Sequence, residues 1–243
     1  MKKDYLFQRI TEIFSDLPKG TILDLGCGDG RYGAELAAKG FRVHAADMDH
    51  GRFRYHGQID FKHCDLSHPL PFENGTFDYV LFLETIEHLK NPFSVMDEIS
   101  RVLKPEGVLI LSTPNILNIG SRFRFLFDGS FDFFREPLLD YSKFHQDNLH
   151  NMHIVVWRYQ ELEWLLFESG LQTEDAYADF HKPQLKVLAF FVAPFLRMRA
   201  FFKQRRALRK GGVDYRRIDG VIHTDALLLG RHLIIKARKK QKK

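Results

Sequence analysis

Thr21-Ile-Leu-Asp-Leu-Gly-Cys-Gly-Asp-Gly-Arg31 joins a strand to a helix through three glycines. The apolar start predicts a buried strand that stops at Asp24-Leu25, the chain turns on Gly26, Gly28 and Gly30, and a helix runs from near Arg31 to Gly40. Glycines at such a turn let the backbone approach a ligand, and the helix N-terminus points free N–H groups at it. Gly28-Asp-Gly-Arg-Tyr-Gly33 also satisfies the dinucleotide pattern G-x-G-x-x-G. Charge separates the readings. Asp24 and Asp29 flank the place where a pyrophosphate would sit, and two carboxylates there would repel it. They suit a ligand with an ammonium, a sulfonium and no phosphate, and S-adenosylmethionine is such a ligand.

The following residues agree. Phe41 to Asp47 reads as a second strand ending in an acid, 21 positions after Gly26, well placed to accept both ribose hydroxyls. Phe61 to Leu66 reads as a third strand ending at Asp65, able to accept from an adenine amino group. Phe77–Leu83 and Gly107–Ser112 are nearly continuous apolar runs, as expected of parallel strands covered on both faces. Between them, Asn91 to Leu103 has helical spacing and stops before Pro105 and Gly107. Strand and helix in alternation mean an α/β, doubly wound sheet.

These residues resemble the class I S-adenosylmethionine-dependent methyltransferases, in the branch that includes the ubiquinone and menaquinone biosynthesis enzymes. The shared marks are Leu23-Asp-Leu-Gly-Cys-Gly-Asp-Gly30, Ala46-Asp47, Cys64-Asp65-Leu66, Leu70-Pro-Phe72 before Phe77-Asp78, Glu87-His88-Leu89 and Arg101-Val-Leu-Lys-Pro-Glu-Gly107. The likeness covers residues 21–115 and thins beyond them. It implies a Rossmann-like, seven-stranded, mostly parallel sheet with an antiparallel last strand, plus helical insertions. Trp157 to Gly170 looks like the family's helix before the sixth strand, and Ala226 to Ala237 like its antiparallel seventh. By resemblance, Gly26, Gly28 and Gly30 line the methionine end, Asp47 the ribose, and Asp65 with the Leu66 backbone the adenine. Asp24, Cys27, Met48 and Glu84 complete the expected cofactor residues.

Composition fits one catalytic domain with additions: an N-terminal helix in 1–20, a core over 21–180, a basic insertion with an apolar helix over 181–220, and the last strand and basic tail over 221–243. Cys27 and Cys64 are the only cysteines, so neither a disulfide framework nor a zinc cluster is expected and a reducing cytoplasm is the default. Charges interrupt the apolar residues of Met1–Ile10, which reads against a signal peptide. Residues 1–180 hold 18 Lys+Arg against 28 Asp+Glu, a net −10, whereas 181–243 hold 18 against 3, a net +15. That split points to an anionic partner for the C-terminal part. Val187–Leu196 is apolar, contains Pro194, and runs into seven basic residues between Arg197 and Lys210. It is too short to span a bilayer and fits either a peripheral membrane-interface helix or a lid packed on the domain.

Residues 113–157 occupy the place of substrate loops, are dense in phenylalanine, and carry Tyr141, His145 and His153 as candidate acceptor-binding groups. Their histidine spacing matches no metal motif, so no metal is expected. The aromatic bias suits a small or amphiphilic, ring-bearing acceptor, methylated on oxygen or carbon by in-line displacement from the sulfonium. An oxygen acceptor needs its proton removed, and Glu84-Thr-Ile-Glu-His-Leu89 after the fourth strand supplies His88 as the candidate base, with Glu84 beside the expected methyl group. If this segment is helical, Glu84 and His88 share one face. The Asn/Asp-Pro-Pro-aromatic motif of adenine-N6 and glutamine-amide methyltransferases is absent after that strand, where Leu83-Glu-Thr-Ile stands instead, which disfavours those substrates. Two other readings stay open: a nucleic-acid methyltransferase with the basic C-terminal part on phosphates, and a non-catalytic cofactor-binding partner protein.

Overall fold

In the computed structural model, which describes residues 4–134, 153, 155–179, 183–209 and 216–240, seven strands hydrogen-bond into one sheet. They are β1 (Thr21–Leu25), β2 (Arg42–Asp47), β3 (Asp60–His63), β4 (Phe77–Leu83), β5 (Leu103–Pro114), β6 (Leu171–Ala178) and β7 (His232–Lys239). Their order is β3-β2-β1-β4-β5-β7-β6, with β7 antiparallel to both its neighbours. Because β1 pairs in parallel with β2 on one side and β4 on the other, the winding reverses there and a crevice opens beyond the strands' carboxyl ends.

Alternate residues of the central strands feed two cores. Leu23, Val80, Phe82, Leu109 and Leu111 face one side, under α3 (Pro92–Val102) and α5 (Tyr159–Glu168). Ile22, Tyr79, Leu81, Val108 and Ile110 face the other, under α1 (Tyr5–Ser15) and α2 (Arg31–Ala38). Both alternating sets are apolar because both faces are covered. In α1, Leu6, Ile10, Ile13 and Phe14 form the buried stripe, and Asp4 caps the first turn by accepting from Phe7 N at 3.0 Å.

Four expectations are corrected. β3 stops at His63, so Asp65 lies two residues beyond it in a turn where it accepts from Ser67 N. β5 begins at Leu103, earlier than Gly107, because Leu103 pairs with Phe77 directly where α3 ends. Glu84–Leu89 is not a helix turn of i+4 spacing: Glu84 has φ +46° and only Ile86–His88 form a 3₁₀ turn. The seventh strand begins at His232, not Ala226, because Asp225–Leu229 form helix α8, the chain's eighth among the described residues. Thr224 caps α8 by accepting from Leu227 N, and three buried leucines fit a helix as well as a strand.

The insertion consists of α6 (Pro183–Arg209) and α7 (Arg216–Ile222), and α4 (Ile119–Asp128) follows β5. Ile119, Ala189, Ala193, Leu228 and Leu229 tie α4, α6 and α8 into a third small core. No helix among the described residues is long and apolar enough to cross a membrane.

Buried Asn115 holds this region to the sheet. Its Nδ2 donates to Leu227 O at 2.8 Å and Gly230 O at 3.0 Å, and its Oδ1 accepts from Leu117 N at 3.0 Å. Asn115→Ala leaves these groups unpaired in the interior, and the urea midpoint should drop by the equivalent of about 1–3 kcal/mol.

Candidate active site

The glycine turn is built as a cradle. Gly26, Gly28 and Gly30 have φ of +71°, +56° and +81°. An added Cβ would strike Thr85 Oγ1 at 2.6 Å from Gly26 and the Phe53 ring at 2.3 Å from Gly30. From Gly28 it would meet nothing nearer than Arg52 at 4.0 Å, so that glycine faces open space. Asp47, at the end of β2, accepts from Gly28 N at 2.8 Å and from Asp49 N at 2.9 Å. Met48 beside it is exposed. The Asp65 carboxylate is held below the usual range by the Ser67 amide, and half-buried Leu66 packs on the core. Cys27 and Cys64 are buried free thiols, and burial pushes both up, Cys64 to about 11.

Asp24 behaves differently from expectation. It is 3% exposed and accepts from Gly33 N at 3.1 Å, which ties β1 to the first turn of α2. Burial raises its pKa to about 7, against the Gly33 hydrogen bond, so it is only part-charged at neutral pH. The negative charge at the turn therefore rests mainly on Asp29 and Asp47.

At the same sheet edge, beyond β4 and β5, titratable side chains converge. Glu84 N donates to Ser112 O at 3.0 Å, and Glu84 Oε1 accepts from Ser112 Oγ at 2.7 Å. Its Oε2 lies 3.4 Å from His232 Nε2, and His232 Nδ1 donates to Asp179 Oδ2 at 2.6 Å. Burial opposes the His232 charge, yet the Asp179 hydrogen bond and Glu84 outweigh it and the pKa is raised. Burial likewise raises the Glu84 pKa, while His232 and Ser112 counter it.

A second cluster adjoins the first. Glu87 is fully buried; its Oε2 accepts from Thr113 Oγ1 at 3.1 Å and its Oε1 has no hydrogen-bond partner. Burial first, then Glu84, pushes its pKa up to about 8. His153 donates from Nδ1 to Phe133 O at 3.2 Å and turns Nε2 toward Glu87 Oε1, 3.9 Å away. Its ring centroid lies 4.8 Å from that of His88, and burial followed by His88 lowers its pKa. Among the described residues, Glu87, His88 and His153 bring one potential ligand atom each within 4.8 Å of one another, wider than the ligand spacing around a single divalent cation. Tyr141 and His145 lie outside the described residues.

A methyltransferase-domain family model matches residues 2–176. A Mycolicibacterium smegmatis protein named "Probable S-adenosylmethionine-dependent methyltransferase" is 31% identical over 190 residues, 74% of this chain and 64% of that protein. The chain belongs to the S-adenosylmethionine-dependent methyltransferases. A Rickettsia canadensis ubiquinone biosynthesis O-methyltransferase is 30% identical over 121 residues, 47% of this chain and 51% of its own. The chain thus spans about half to two thirds of the length of these curated relatives. A methyltransferase structure from Archaeoglobus fulgidus shares the fold, with a TM-score of 0.61 at 15% identity over 96% of this chain and 93% of its own.

The residues present fit the family's cofactor: open space over Gly28, an acceptor carboxylate at Asp47, and the ionised Asp65 beyond β3. Sequence reasoning missed Glu87, Asp179 and His232. His232 was hidden by the misplaced start of β7. An antiparallel last strand begins where its parallel neighbour ends, so its first residue belongs to the cofactor edge, and Gly230 marked that start.

Gly28→Ala should fold, at a cost of roughly 1–2 kcal/mol for alanine in the left-handed region, while S-adenosylhomocysteine affinity by calorimetry falls by roughly tenfold or more. Gly30→Ala should instead lose stability first, because its methyl collides with Phe53.

For Glu87 the unfolded pKa is near 4.5 and the folded one about 8, so the unfolded chain releases its proton first as pH rises. Its contribution is complete below pH ~4.5 and is lost as pH climbs through about 8. Glu87→Gln should therefore stabilise the protein at pH ~8 relative to pH ~5, by roughly 1–3 kcal/mol in urea denaturation.

Proposed function

We propose that this chain transfers a methyl group from S-adenosylmethionine to a hydroxyl oxygen of a small or amphiphilic, ring-bearing acceptor. The observation that carries the reading is the gathering of His88, His153 and His232 with Glu84 and Glu87 at the carboxyl-end edge of β4 and β5. The naming of the Rickettsia relative as an O-methyltransferase supports the oxygen acceptor.

The cofactor supplies an electrophilic methyl carbon on a sulfonium whose positive charge disappears on transfer. The protein's task is to position the acceptor, exclude water and take its proton. His232 is the poorer base, since Asp179 and Glu84 together favour its charged form. In that form it neutralises Glu84 and holds it against Ser112. His153 has its Nδ1 proton committed to Phe133 O and a lowered basicity. His88 stacks edge-on against His153 and is the base in this scheme, receiving the hydroxyl proton as the oxygen attacks. Phe133 and Phe134 pack on His232 and His153 and give the acceptor pocket an apolar wall.

With isotopically labelled cofactor, mass spectrometry of lipid and aqueous extract fractions should find the label in a methyl ether. With that acceptor, His88→Ala should lower kcat by roughly hundredfold and leave S-adenosylhomocysteine affinity within about twofold. Unchanged turnover in His88→Ala would remove the base from this scheme, and label found on nitrogen would exclude the hydroxyl acceptor.

A further inference from the structure

Helix α6 is 27 residues long and apolar on two sides. Ala189 and Ala193 are buried against α4 and α8, with Leu188, Val192 and Leu196 packed around them. On the opposite side Val187, Phe190, Phe191, Phe195, Phe201 and Phe202 are 56–75% exposed. At about 100° per residue these six positions fall within roughly 140° of the helix circumference, so they form one continuous stripe. Such an apolar row in water marks a surface that something covers. It disposes of the lid alternative in its simple form, in which the same phenylalanines are packed on the domain.

The charge pattern indicates what covers it. Residues 183–209 contain seven Lys and Arg and no Asp or Glu. On the helical projection Lys186 and Arg197 border the stripe on one side and Arg199 and Arg206 on the other, whereas Lys203 falls on the inner side and pairs with Asp219, and Arg197 also reaches Asp225 at 3.0 Å. Arg205 lies over the Phe201 ring at 5.3 Å, near the helix C-terminal end. An apolar stripe flanked by cations is the design of a helix lying in the plane of a bilayer surface. A second copy of this chain would bring two basic regions of net +15 together, and a nucleic-acid backbone would offer nothing to cover six apolar side chains. Anionic lipid satisfies both halves of the pattern.

We propose that α6 docks on an anionic membrane surface, with its aromatic stripe in the acyl boundary and its Lys and Arg at lipid phosphates. The neighbouring helix α4 adds Leu126 and Phe127, 71% and 77% exposed, and begins shortly after Pro114 at the cofactor edge. An acceptor with an apolar tail then reaches the site from the bilayer without crossing water. This extends the reading of an amphiphilic acceptor, but docking itself does not depend on any acceptor.

The test is co-sedimentation of the full chain with phosphatidylcholine vesicles, with and without phosphatidylglycerol. Binding should require phosphatidylglycerol and weaken as sodium chloride rises. The Phe190→Ser/Phe191→Ser double variant should lower vesicle affinity by roughly tenfold or more, while unchanged S-adenosylhomocysteine affinity shows that it is folded. Arg199→Glu/Arg206→Glu should weaken binding while leaving the phenylalanines and the Arg205 contact to Phe201 in place. Absence of binding to phosphatidylglycerol vesicles at low salt overturns the proposal. So does binding indifferent to the phenylalanine variant, a dimer by light scattering that this variant dissociates, or tighter binding to RNA than to vesicles. Methyl transfer to a short-chain, water-soluble acceptor in the absence of vesicles reads the acceptor chemistry separately from docking.

Discussion

The central strands β1, β4 and β5 are apolar on both faces, and this constraint orders the rest of the molecule. A side chain that must stay charged or exchange protons has no place in the middle of these strands, because each face is sealed by helices. Such groups collect where the strands stop, at the carboxyl edge, where backbone and side chains regain access to a ligand. Asp47, Asp65, Glu84, Glu87 and His232 are all within two residues of a strand terminus or in the turn directly after β4. Asp24 is the buried acid inside β1, and burial with a single amide partner leaves it only part-ionised; at the opposite, amino-terminal edge Asp78 of β4 and Lys104 of β5 pair at 2.9 Å.

At that edge the groups compensate one another. Glu84 and Glu87 are both removed from water, and two buried carboxylates close together do not ionise as independent acids. His232 relieves one of them, with Asp179 fixing its ring through Nδ1 and its backbone through the amide. Glu87 has no such partner, since His153 Nε2 stays 3.9 Å from its Oε1, and burial keeps it predominantly protonated at neutral pH. The edge therefore holds imidazoles biased in opposite directions, His232 toward its charged form by Asp179 and Glu84 and His153 toward its neutral form by burial.

The periphery follows different physics. Residues 1–180 are acidic and the sheet is closed over by its own helices, whereas α6 shares one side with α4 and α8 and, among the described residues, leaves the other exposed. Basic residues border the uncovered side. The contacts among the described residues use only the inner face, and the aromatic outer face is the surface the membrane proposal rests on.

The local signals in the chain were sufficient for the core. Three glycines between a strand and a helix, acids at the ends of β2 and near β3, and two apolar runs around a helical segment dictated the doubly wound sheet and the cofactor edge, because each depends on nearest-neighbour geometry. His88 and Glu84 were legible for the same reason, through their place after β4. Glu87 was visible only as part of a family mark, since its burial is set by Thr113 and Val155 from other elements. Asp179 and His232 could not be paired from the sequence, being 53 positions apart and joined by the β6–β7 register. The start of β7 was misjudged because a run of leucines is equally apolar as helix or strand; Thr224 caps it as a helix, and Asn115 anchors that helix to the sheet through the Leu227 and Gly230 carbonyls. Whether the α6 phenylalanines are covered was equally a tertiary matter: composition made the helix apolar and basic, and packing against Ile119 and Leu228 determined which side was left outward.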